Sequence, residues 1–291
     1  MRLRSLLFVP GDSEKKFARA CQSGADVLIL DLEDAVAPTM KDAARAQVVG
    51  WLGLAGEVAP KLFVRVNPLD TGLTGIDLEA VVRAGLAGIL VPKANGAQDI
   101  ATIAALIGPL EGRAGLAPGS VRIMVVATET PAAMFHLGSY APAHPRLIGL
   151  TWGAEDLASA IGATANKETD GAWTEPYRLA RSLCLFAAAA AGVAPIDTLY
   201  SNFRDTAGLE ADCRKARRDG FVGRIAIHPD QVEPINRCFS PSDEDVAQAR
   251  RIVAAFAAQP ELGTIGIDGK MFDIPHLKAA RKTLAATGEQ A

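Results

Sequence analysis

Cysteine is scarce in this chain of 291 residues, and the few cysteines lie far apart. Cys21, Cys184, Cys213 and Cys238 form no CxxC pair and no Cys/His cluster with the spacing of metal ligands. Such an arrangement favours neither a disulfide framework nor a zinc site, and it is typical of proteins in a reducing cytosol. We therefore expect structural thiols and a cytoplasmic location.

Long apolar runs and an excess of positive charge are also missing. The N-terminal apolar run breaks at Pro10-Gly11 and is too short for a signal peptide. The longest apolar stretch, LCLFAAAAAGVAPI, is too short to cross a bilayer and predicts a buried helix instead. Because the net charge is −3, the sequence gives no reason to expect nucleic acid or a membrane surface as a partner.

Eight short apolar runs are present, and each is followed by a helix-like segment. Near-continuous apolar strands are typical of a parallel sheet that is buried on both faces. Eight alternations within residues 5–229 suit an α/β protein of the (β/α)₈ TIM-barrel class, whose usual size is about 250 residues. The rival, a doubly wound open sheet, predicts a glycine-rich phosphate turn, and neither GxGxxG nor GxxxxGK[ST] occurs. The runs are 5–10, 26–34, 61–67, 88–94, 122–130, 146–153, 194–200 and 223–229.

Glycines precede several of these runs, as the C-caps of preceding helices do. They are Gly24, Gly85, Gly88, Gly192 and Gly220. From about Phe239 the pattern changes to a helix capped at Ser240 or Ser242, then a short hairpin and a second helix. We expect a catalytic barrel over residues 1–238 and a C-terminal helical extension over 239–291 that packs on the barrel or on a neighbouring subunit.

Polar side chains collect where the predicted strands end. In a barrel of this class the chemistry lies at the C-terminal ends of the strands, so these side chains should share one mouth. Several carboxylates and a guanidinium at one mouth suit metal-assisted handling of a small acid. The residues concerned are Asp31, Glu33, Asp34, Arg65, Asn67, Lys93, Asn95, Glu129, Glu155, Asp156 and His228.

Two of these carboxylates, Glu129 and Asp156, follow the adjacent fifth and sixth strands and can face the same ion. Mg²⁺ prefers one or two protein carboxylates, with waters and substrate oxygens completing its octahedron. Arg65 is the natural partner of a substrate carboxylate, which a guanidinium can hold through two parallel hydrogen bonds. Such a metal would polarise the carbonyl of a 2-oxo acid.

Seven motifs, in order from Arg4 to about Leu284, resemble the CoA-ester lyase branch of the HpcH/HpaI aldolase and citrate lyase β-subunit superfamily. They are RSLLFVPGD, LILDLEDAV, VRVN, ATETP, WGAEDLASAIG, IAIHP and DGKMFDIPHL. The resemblance implies a TIM barrel with a C-terminal extension, assembly into homotrimers or hexamers, and Mg²⁺ as the metal. It also implies a lyase that cleaves or forms a 3-hydroxyacyl-CoA thioester of the malyl-CoA, citramalyl-CoA or citryl-CoA type. The products of cleavage would be acetyl-CoA or propionyl-CoA and a 2-oxo acid.

The resemblance also implies roles for single residues. Glu129 and Asp156 match the metal ligands, and backbone amides near Glu155 and Asp156 would offset charge on the substrate. Arg65 matches the arginine that binds the oxo acid, and Asp273 matches an aspartate that a neighbouring subunit contributes to proton transfer. Positions that match the CoA-thioester contacts are Phe8, Val9, Arg19, Ile227 and His228, and those that match a carboxylate pair near the metal are Glu33 and Asp34.

Other interpretations stay open from the sequence. The metal pair also suits an aldolase of the same superfamily that acts without CoA, and a β-subunit of a citrate-lyase-like complex is a further alternative. Ser13 stands where some malyl-CoA lyases have an arginine for the CoA phosphate, and Lys15 or Lys16 is the substitute available nearby. A Schiff-base aldolase would need Lys93 as a desolvated, activated amine. The sequence does not identify the oxo acid.

Overall fold

The computed structural model describes residues 1–287. The chain divides into two compact units, Met1–Asn236 and Arg237–Ala291. The predicted boundary between residues 238 and 239 stays a prediction about the domains.

The first unit is a closed barrel of eight parallel strands in sequence order, in which β1 also pairs with β8. This confirms the (β/α)₈ prediction. Seven strands lie inside the predicted apolar runs, and β4 begins two residues before its run. The strands are Ser5–Pro10 (β1), Val27–Asp31 (β2), Lys61–Arg65 (β3), Leu86–Val91 (β4), Arg122–Val126 (β5), Leu147–Thr151 (β6), Ala194–Asp197 (β7) and Gly223–Ala226 (β8).

Helices follow every strand of the barrel. Burial on both faces explains the strand composition, since the inward side chains fill the barrel and the outward ones pack under the helices. The interior cluster includes Leu6, Ile29, Phe63, Leu90 and Met124, each at most 1% exposed. The helices are Glu14–Cys21 (α1), Lys41–Leu52 (α2), Thr74–Val81 (α3), Ala97–Arg113 (α4), Pro131–Met134 (α5), Glu155–Ile161 (α6), Glu175–Ala191 (α7), Thr206–Asp219 (α8) and Val232–Phe239 (α9).

Two local expectations are wrong. Gly88 is no helix cap: it lies within β4, where an added Cβ would sit 2.4 Å from Phe63 Cε1 and 2.6 Å from the Arg122 carbonyl oxygen. Its absent side chain therefore allows close packing of the barrel wall. The Ala-rich run predicted as a buried helix belongs to α7, which is amphipathic, because Leu179 and Phe186 on it are 56% and 64% exposed.

The second unit contains helix α10 (Asp243–Ala258), a hairpin of β9 (Thr264–Ile267) and β10 (Lys270–Asp273), and helix α11 (Ile274–Thr287). This order agrees with the helix, hairpin and helix expected from the sequence. Ser242 caps α10, since its hydroxyl accepts the Asp245 N–H at 3.1 Å while the Asp245 carboxylate accepts the Ser242 N–H at 3.0 Å. Within residues 1–287, no helix combines the length and the apolar character that crossing a membrane requires.

Candidate active site

An arginine clamp joins the ends of β2 and β3. The parallel register sets Asp31 beside Arg65. Arg65 donates from Nε to Asp31 Oδ1 at 2.7 Å and from Nη2 to Asp31 Oδ2 at 2.6 Å. Its Nη1 lies 2.8 Å from Glu33 Oε2, and its guanidinium carbon lies 4.7 Å from the centre of the Phe8 ring. The two-bond grip expected for a substrate carboxylate is therefore made with Asp31, which leaves N–H groups of Nη1 and Nη2 for a ligand.

Lys93, just after β4, connects the remaining carboxylates. Its backbone is left-handed, with φ 51°, a conformation that is uncommon outside glycine. In that conformation its N–H donates to Glu129 Oε2 at 2.6 Å. Its ammonium group contacts Glu33 and lies 3.0 Å from Asp34 Oδ2 and 3.2 Å from Asp156 Oδ1.

These contacts show whether Lys93 is an ion-pairing ammonium group or a neutral amine that could form a Schiff base. Burial by itself lowers the pKa of Lys93, but the carboxylates, Glu33 first among them, outweigh burial and raise it. The side chain is thus held as an ammonium ion. A Schiff-base nucleophile needs a lowered pKa, so the site does not support that interpretation.

Glu129 follows the end of β5 and is only 5% exposed. Burial is the main cause that raises its pKa to about 8; the Lys93 N–H opposes the shift, and the charges of Asp156 and Glu33 add to it. Among the described residues, the Lys93 N–H is the hydrogen-bond donor found for this carboxylate. A nearly buried carboxylate with so little compensation is costly without a cation.

Gly153, between β6 and α6, makes room for Glu129. An added Cβ on Gly153 would lie 2.7 Å from Glu129 Cγ and 3.1 Å from its Oε1. The Gly153 N–H also donates to Thr128 Oγ1 at 3.1 Å, which joins the ends of the fifth and sixth strands. A side chain at residue 153 would therefore push Glu129 from its place.

Besides the cavity of about 400 Å³ that Glu33, Asp34 and Lys93 help to line, a smaller one of about 90 Å³ lies at this mouth. It is far smaller than the roughly 300 Å³ or more of drug-sized sites. Its wall combines the charged predicted residues with apolar and aromatic ones. The lining includes Phe8, Arg65, Glu129, Trp152, Gly153, Glu155, Asp156, Trp173 and Leu199.

The cavity brings a pair of acidic oxygen donors together for a cation. Glu129 is nearly buried, whereas the Asp156 side chain is 32% exposed. Over residues 1–287, no group of three or more His, Cys, Asp or Glu side chains has the geometry to hold a metal. Two carboxylates are nevertheless the usual protein contribution to Mg²⁺, because water and substrate supply the other ligands.

The five residues expected to contact a CoA thioester differ from one another in exposure and in their contacts. Phe8 lines the cavity, but Val9 is 1% exposed, so its side chain is enclosed in the barrel wall. Ile227 is 38% exposed, and the His228 ring stacks on Phe203 with 4.7 Å between ring centres. Arg19 on α1 pairs with Asp230 at 3.0 Å. Phe8 is thus the member of this set that lines the cavity together with Glu129.

Asp273 ends β10 in the second unit. Its Oδ1 accepts the backbone N–H of His276 at 3.3 Å, and the His276 side chain lies beside the same oxygen. The hydrogen bond between Asp273 and the His276 side chain is the main cause that lowers the pKa of Asp273. The residue is therefore a surface carboxylate that is ionised at neutral pH, and its catalytic role stays a prediction.

Sequence reasoning missed three structural contributions to the site. Asp31 was noted only as a polar strand end, yet it fixes the Arg65 guanidinium. The left-handed backbone of Lys93 and the missing Cβ of Gly153 both determine where Glu129 lies. The glycine in WGAED was the available signal for the last of these.

The sequence profile of the HpcH/HpaI aldolase/citrate lyase family matches residues 4–229. The chain belongs to this family. The match confirms the resemblance inferred from the motifs, and with it the predicted enzyme class, a carbon–carbon lyase.

Similar family members are close in length to this chain. It is 38% identical to a (3S)-malyl-CoA thioesterase of Cereibacter sphaeroides, over 97% of this chain and 93% of the relative. It is 35% identical to citrate lyase subunit beta of Haemophilus influenzae, over 97% and 95%. Among solved structures, CitE of Mycobacterium tuberculosis in complex with magnesium, acetoacetate and coenzyme A has a TM-score of 0.77 at 33% identity, over 99% of both chains.

Proposed function

We propose that the protein is a Mg²⁺-dependent lyase that cleaves, or in reverse forms, a 3-hydroxyacyl-CoA thioester. Cleavage would give acetyl-CoA or propionyl-CoA and a short 2-oxo acid. The observation that carries the proposal is the cavity of about 90 Å³ in which Glu129, Asp156 and Arg65 meet. Support also comes from CitE of Mycobacterium tuberculosis, which binds magnesium, acetoacetate and coenzyme A.

The donor set fits a hard divalent cation. Glu129 is nearly buried and Asp156 half-buried, and both line the cavity. In the chain by itself, the positive charge near Asp156 comes from the Lys93 ammonium at 3.2 Å. We assign Glu129 and Asp156 as the metal ligands and Glu33 and Asp34 as the carboxylates around them. Bound Mg²⁺ would supply Lewis-acid polarisation of the oxygens on the oxo-acid half of the substrate.

The protein's own groups bind the oxo-acid half and offset the charge that develops during cleavage. Arg65, held by Asp31, presents its remaining N–H groups to the carboxylate of the oxo acid. A base removes the proton of the 3-hydroxyl group, the carbon–carbon bond breaks, and its electron pair passes to the thioester half as an enolate. Backbone N–H groups near Glu155 offset the charge that develops on the substrate.

The thioester half would lie along β1 and β8. Phe8, already in the cavity wall, and Ile227, 38% exposed, supply apolar contacts for this half. Val9 contributes only its backbone, because its side chain is buried. Arg19 and His228 are not among the lining residues of the cavity, and we assign the charge of Arg19 and the stacked ring of His228 to the phosphates and the rest of the CoA.

The final proton transfer to the thioester carbon is assigned to Asp273. We propose that it acts on the cavity of a neighbouring subunit in a homotrimer or hexamer. An Asp273→Asn variant should keep Mg²⁺ binding but lose turnover. Mixing it with a Glu129→Gln variant before reassembly should restore part of the activity, because some sites then contain both intact residues. No recovery on mixing, with mixed oligomers confirmed by native mass spectrometry, would contradict a role across subunits.

The direct test is product analysis. Purified protein, Mg²⁺ and acetyl-CoA or propionyl-CoA are mixed separately with glyoxylate, pyruvate or oxaloacetate, and mass spectrometry detects the condensed 3-hydroxyacyl-CoA. We expect a product that EDTA abolishes and that Mg²⁺ restores. No product from any pair would reject the lyase proposal and favour an aldolase that acts without CoA.

A second candidate is hydrolysis of the thioester, because the chain is 38% identical to a protein named (3S)-malyl-CoA thioesterase. The two reactions differ in their products from one substrate. Malyl-CoA gives acetyl-CoA and glyoxylate by cleavage, but malate and free CoA by hydrolysis. A thiol reagent together with chromatography of the acids distinguishes them in a single incubation.

A further inference from the structure

A small hairpin stands beside the cavity, between α6 and α7. It spans residues 166–174, with Lys167 and Trp173 paired in an antiparallel bridge. Backbone hydrogen bonds close it from Glu168 N–H to the Ala172 carbonyl at 2.8 Å and from Thr174 N–H to the Asn166 carbonyl at 3.1 Å. The turn uses Gly171 at φ 84°. This loop therefore has a defined shape that presents one residue to the cavity.

That residue is Trp173, which lines the same cavity as Glu129 and Asp156. Its indole ring meets the edge of the Trp152 ring with 5.1 Å between ring centres. The Lys167 ammonium lies 4.5 Å from the centre of the Trp173 ring. Trp173 is thus held between a cation and a second aromatic ring, a combination that stabilises its position.

The Trp152 side chain is fixed in position by its burial and by a hydrogen bond. It is 1% exposed, and its Nε1 donates to Asp197 Oδ1 at 2.6 Å. Asp197 is held in turn by Arg224, which is 1% exposed and donates to its Oδ2 at 2.7 Å. Trp173 therefore rests against a rigid wall, and the space beside the metal-binding carboxylates is limited by its indole ring.

We propose that Trp173 is the specificity residue that limits the 2-oxo acid to the shortest side chains. The inference rests on the proposed function, since it concerns the acid bound by Glu129, Asp156 and Arg65. In the cavity of about 90 Å³, Trp173 is the lining residue that comes from the loop between α6 and α7, whereas Trp152 and Leu199 closely follow the ends of β6 and β7. Each methylene group that a pocket admits or rejects changes discrimination by roughly 10–200-fold.

The test uses 2-oxo acids of increasing length: glyoxylate, pyruvate, 2-oxobutanoate and 2-oxopentanoate. Their binding in the presence of Mg²⁺ and without CoA is measured by calorimetry, and kcat/KM is then measured with acetyl-CoA. Trp173→Ala should improve the longest acids relative to glyoxylate by at least about tenfold in both measurements. Trp173→Phe keeps a smaller aromatic ring and should give an intermediate profile.

Trp51→Phe is the matched control, because Trp51 stacks on Phe17 at 4.4 Å between ring centres and does not line the cavity. Its length profile should equal that of the wild type. An unchanged profile in both Trp173 variants, or an equal loss for all four acids, would overturn the inference. Wild-type protein that binds none of the acids would instead reject the proposed function.

Discussion

Two buried glutamates at opposite ends of the barrel differ in how their charge is compensated. Glu111, at the end of α4, is 1% exposed and accepts two hydrogen bonds from Arg146 at 2.6 and 2.7 Å. It also accepts the N–H groups of Val121 at 2.8 Å and Gly119 at 2.9 Å. Burial alone raises the pKa of Glu111, but these bonds together lower it to about 2.

Glu129 is 5% exposed, yet among the described residues its donor is a single backbone N–H. Burial raises its pKa to about 8. The two residues have the same chemistry and nearly the same burial, so burial by itself does not identify an active site. What distinguishes Glu129 is that the protein leaves its charge for something else to compensate. Glu111 lies at the N-terminal ends of β5 and β6, where a barrel uses residues for stability rather than catalysis.

The largest expected effect is a loss of stability when the ion pair between Glu111 and Arg146 is broken. Glu111→Gln leaves the Arg146 guanidinium buried without its carboxylate, which typically costs about 3–5 kcal/mol of unfolding free energy. Turnover per folded molecule should stay near that of the wild type. Urea unfolding together with activity below the transition measures both quantities. A Glu111→Gln protein of wild-type stability would show that this pair contributes nothing.

Glu129→Gln should lose turnover and keep its stability, the reverse of what is expected for Glu111→Gln. If Glu129 is the metal ligand proposed above, its loss should reduce turnover by at least about 10²–10³-fold, equivalent to roughly 3–4 kcal/mol of barrier. The metal-free variant should be no less stable than the metal-free wild type, because burial already disfavours the charged form of Glu129 and a glutamine oxygen can still accept the Lys93 N–H. Matched assays on Glu111→Gln and Glu129→Gln are the check, and substantial turnover by the second variant would argue against the metal assignment.

Lowering the pH should reduce the contribution of Glu111 to the stability of the folded protein. Its folded pKa is lowered, so the stability it adds is complete above the pKa of the unfolded chain and is lost as the pH falls through the folded value. A change from the ordinary value of about 4.3 to about 2 corresponds to roughly 3 kcal/mol. The stability difference between wild type and Glu111→Gln should therefore shrink between about pH 5 and about pH 2. A constant difference over that range would contradict the pairing.

The smallest effect is expected from Gly153→Ala, which fills the space beside the Glu129 side chain. Gly153→Ala forces a Cβ to within 2.7 Å of Glu129 Cγ, and overpacking of this kind costs about 1–3 kcal/mol. Because the strain falls on the carboxylate, the Kd for Mg²⁺ should rise and kcat should fall. Gly112→Ala on α4, where an added Cβ meets nothing within 4 Å, is the control and should change neither.

The sequence predicted what depends on repeating patterns and on matching motifs. Apolar runs located all eight strands, and the SPSDEDV signal limited the cap of α10 to Ser240 or Ser242, of which Ser242 is the cap. Ala-rich composition, however, concealed the exposed positions of α7, such as Phe186, because alanine is compatible with either face. The profile of the family confirmed the recognition, whereas the roles of the single residues stay predictions.

Contacts between distant segments were beyond the reach of the sequence. The Asp31–Arg65 clamp depends on strand register, and the Lys93–Glu129 bond depends on one left-handed residue. The close approach of Gly153 to Glu129 joins segments 24 residues apart in the numbering, 153 − 129. No local pattern encodes the first two of these contacts, whereas the glycine in WGAED was a sequence signal for the third.

Direct measurement of metal binding is the most informative experiment on the site. Titration of metal-free wild type, Glu111→Gln and Glu129→Gln with Mg²⁺ by calorimetry, or with Mn²⁺ by electron paramagnetic resonance, compares the two glutamates without any substrate. We expect one ion per chain in the wild type and in folded Glu111→Gln, and a severe loss of affinity in folded Glu129→Gln. Equal binding by wild type and Glu129→Gln would show that Glu129 is buried for another reason and that the metal, if bound, lies elsewhere.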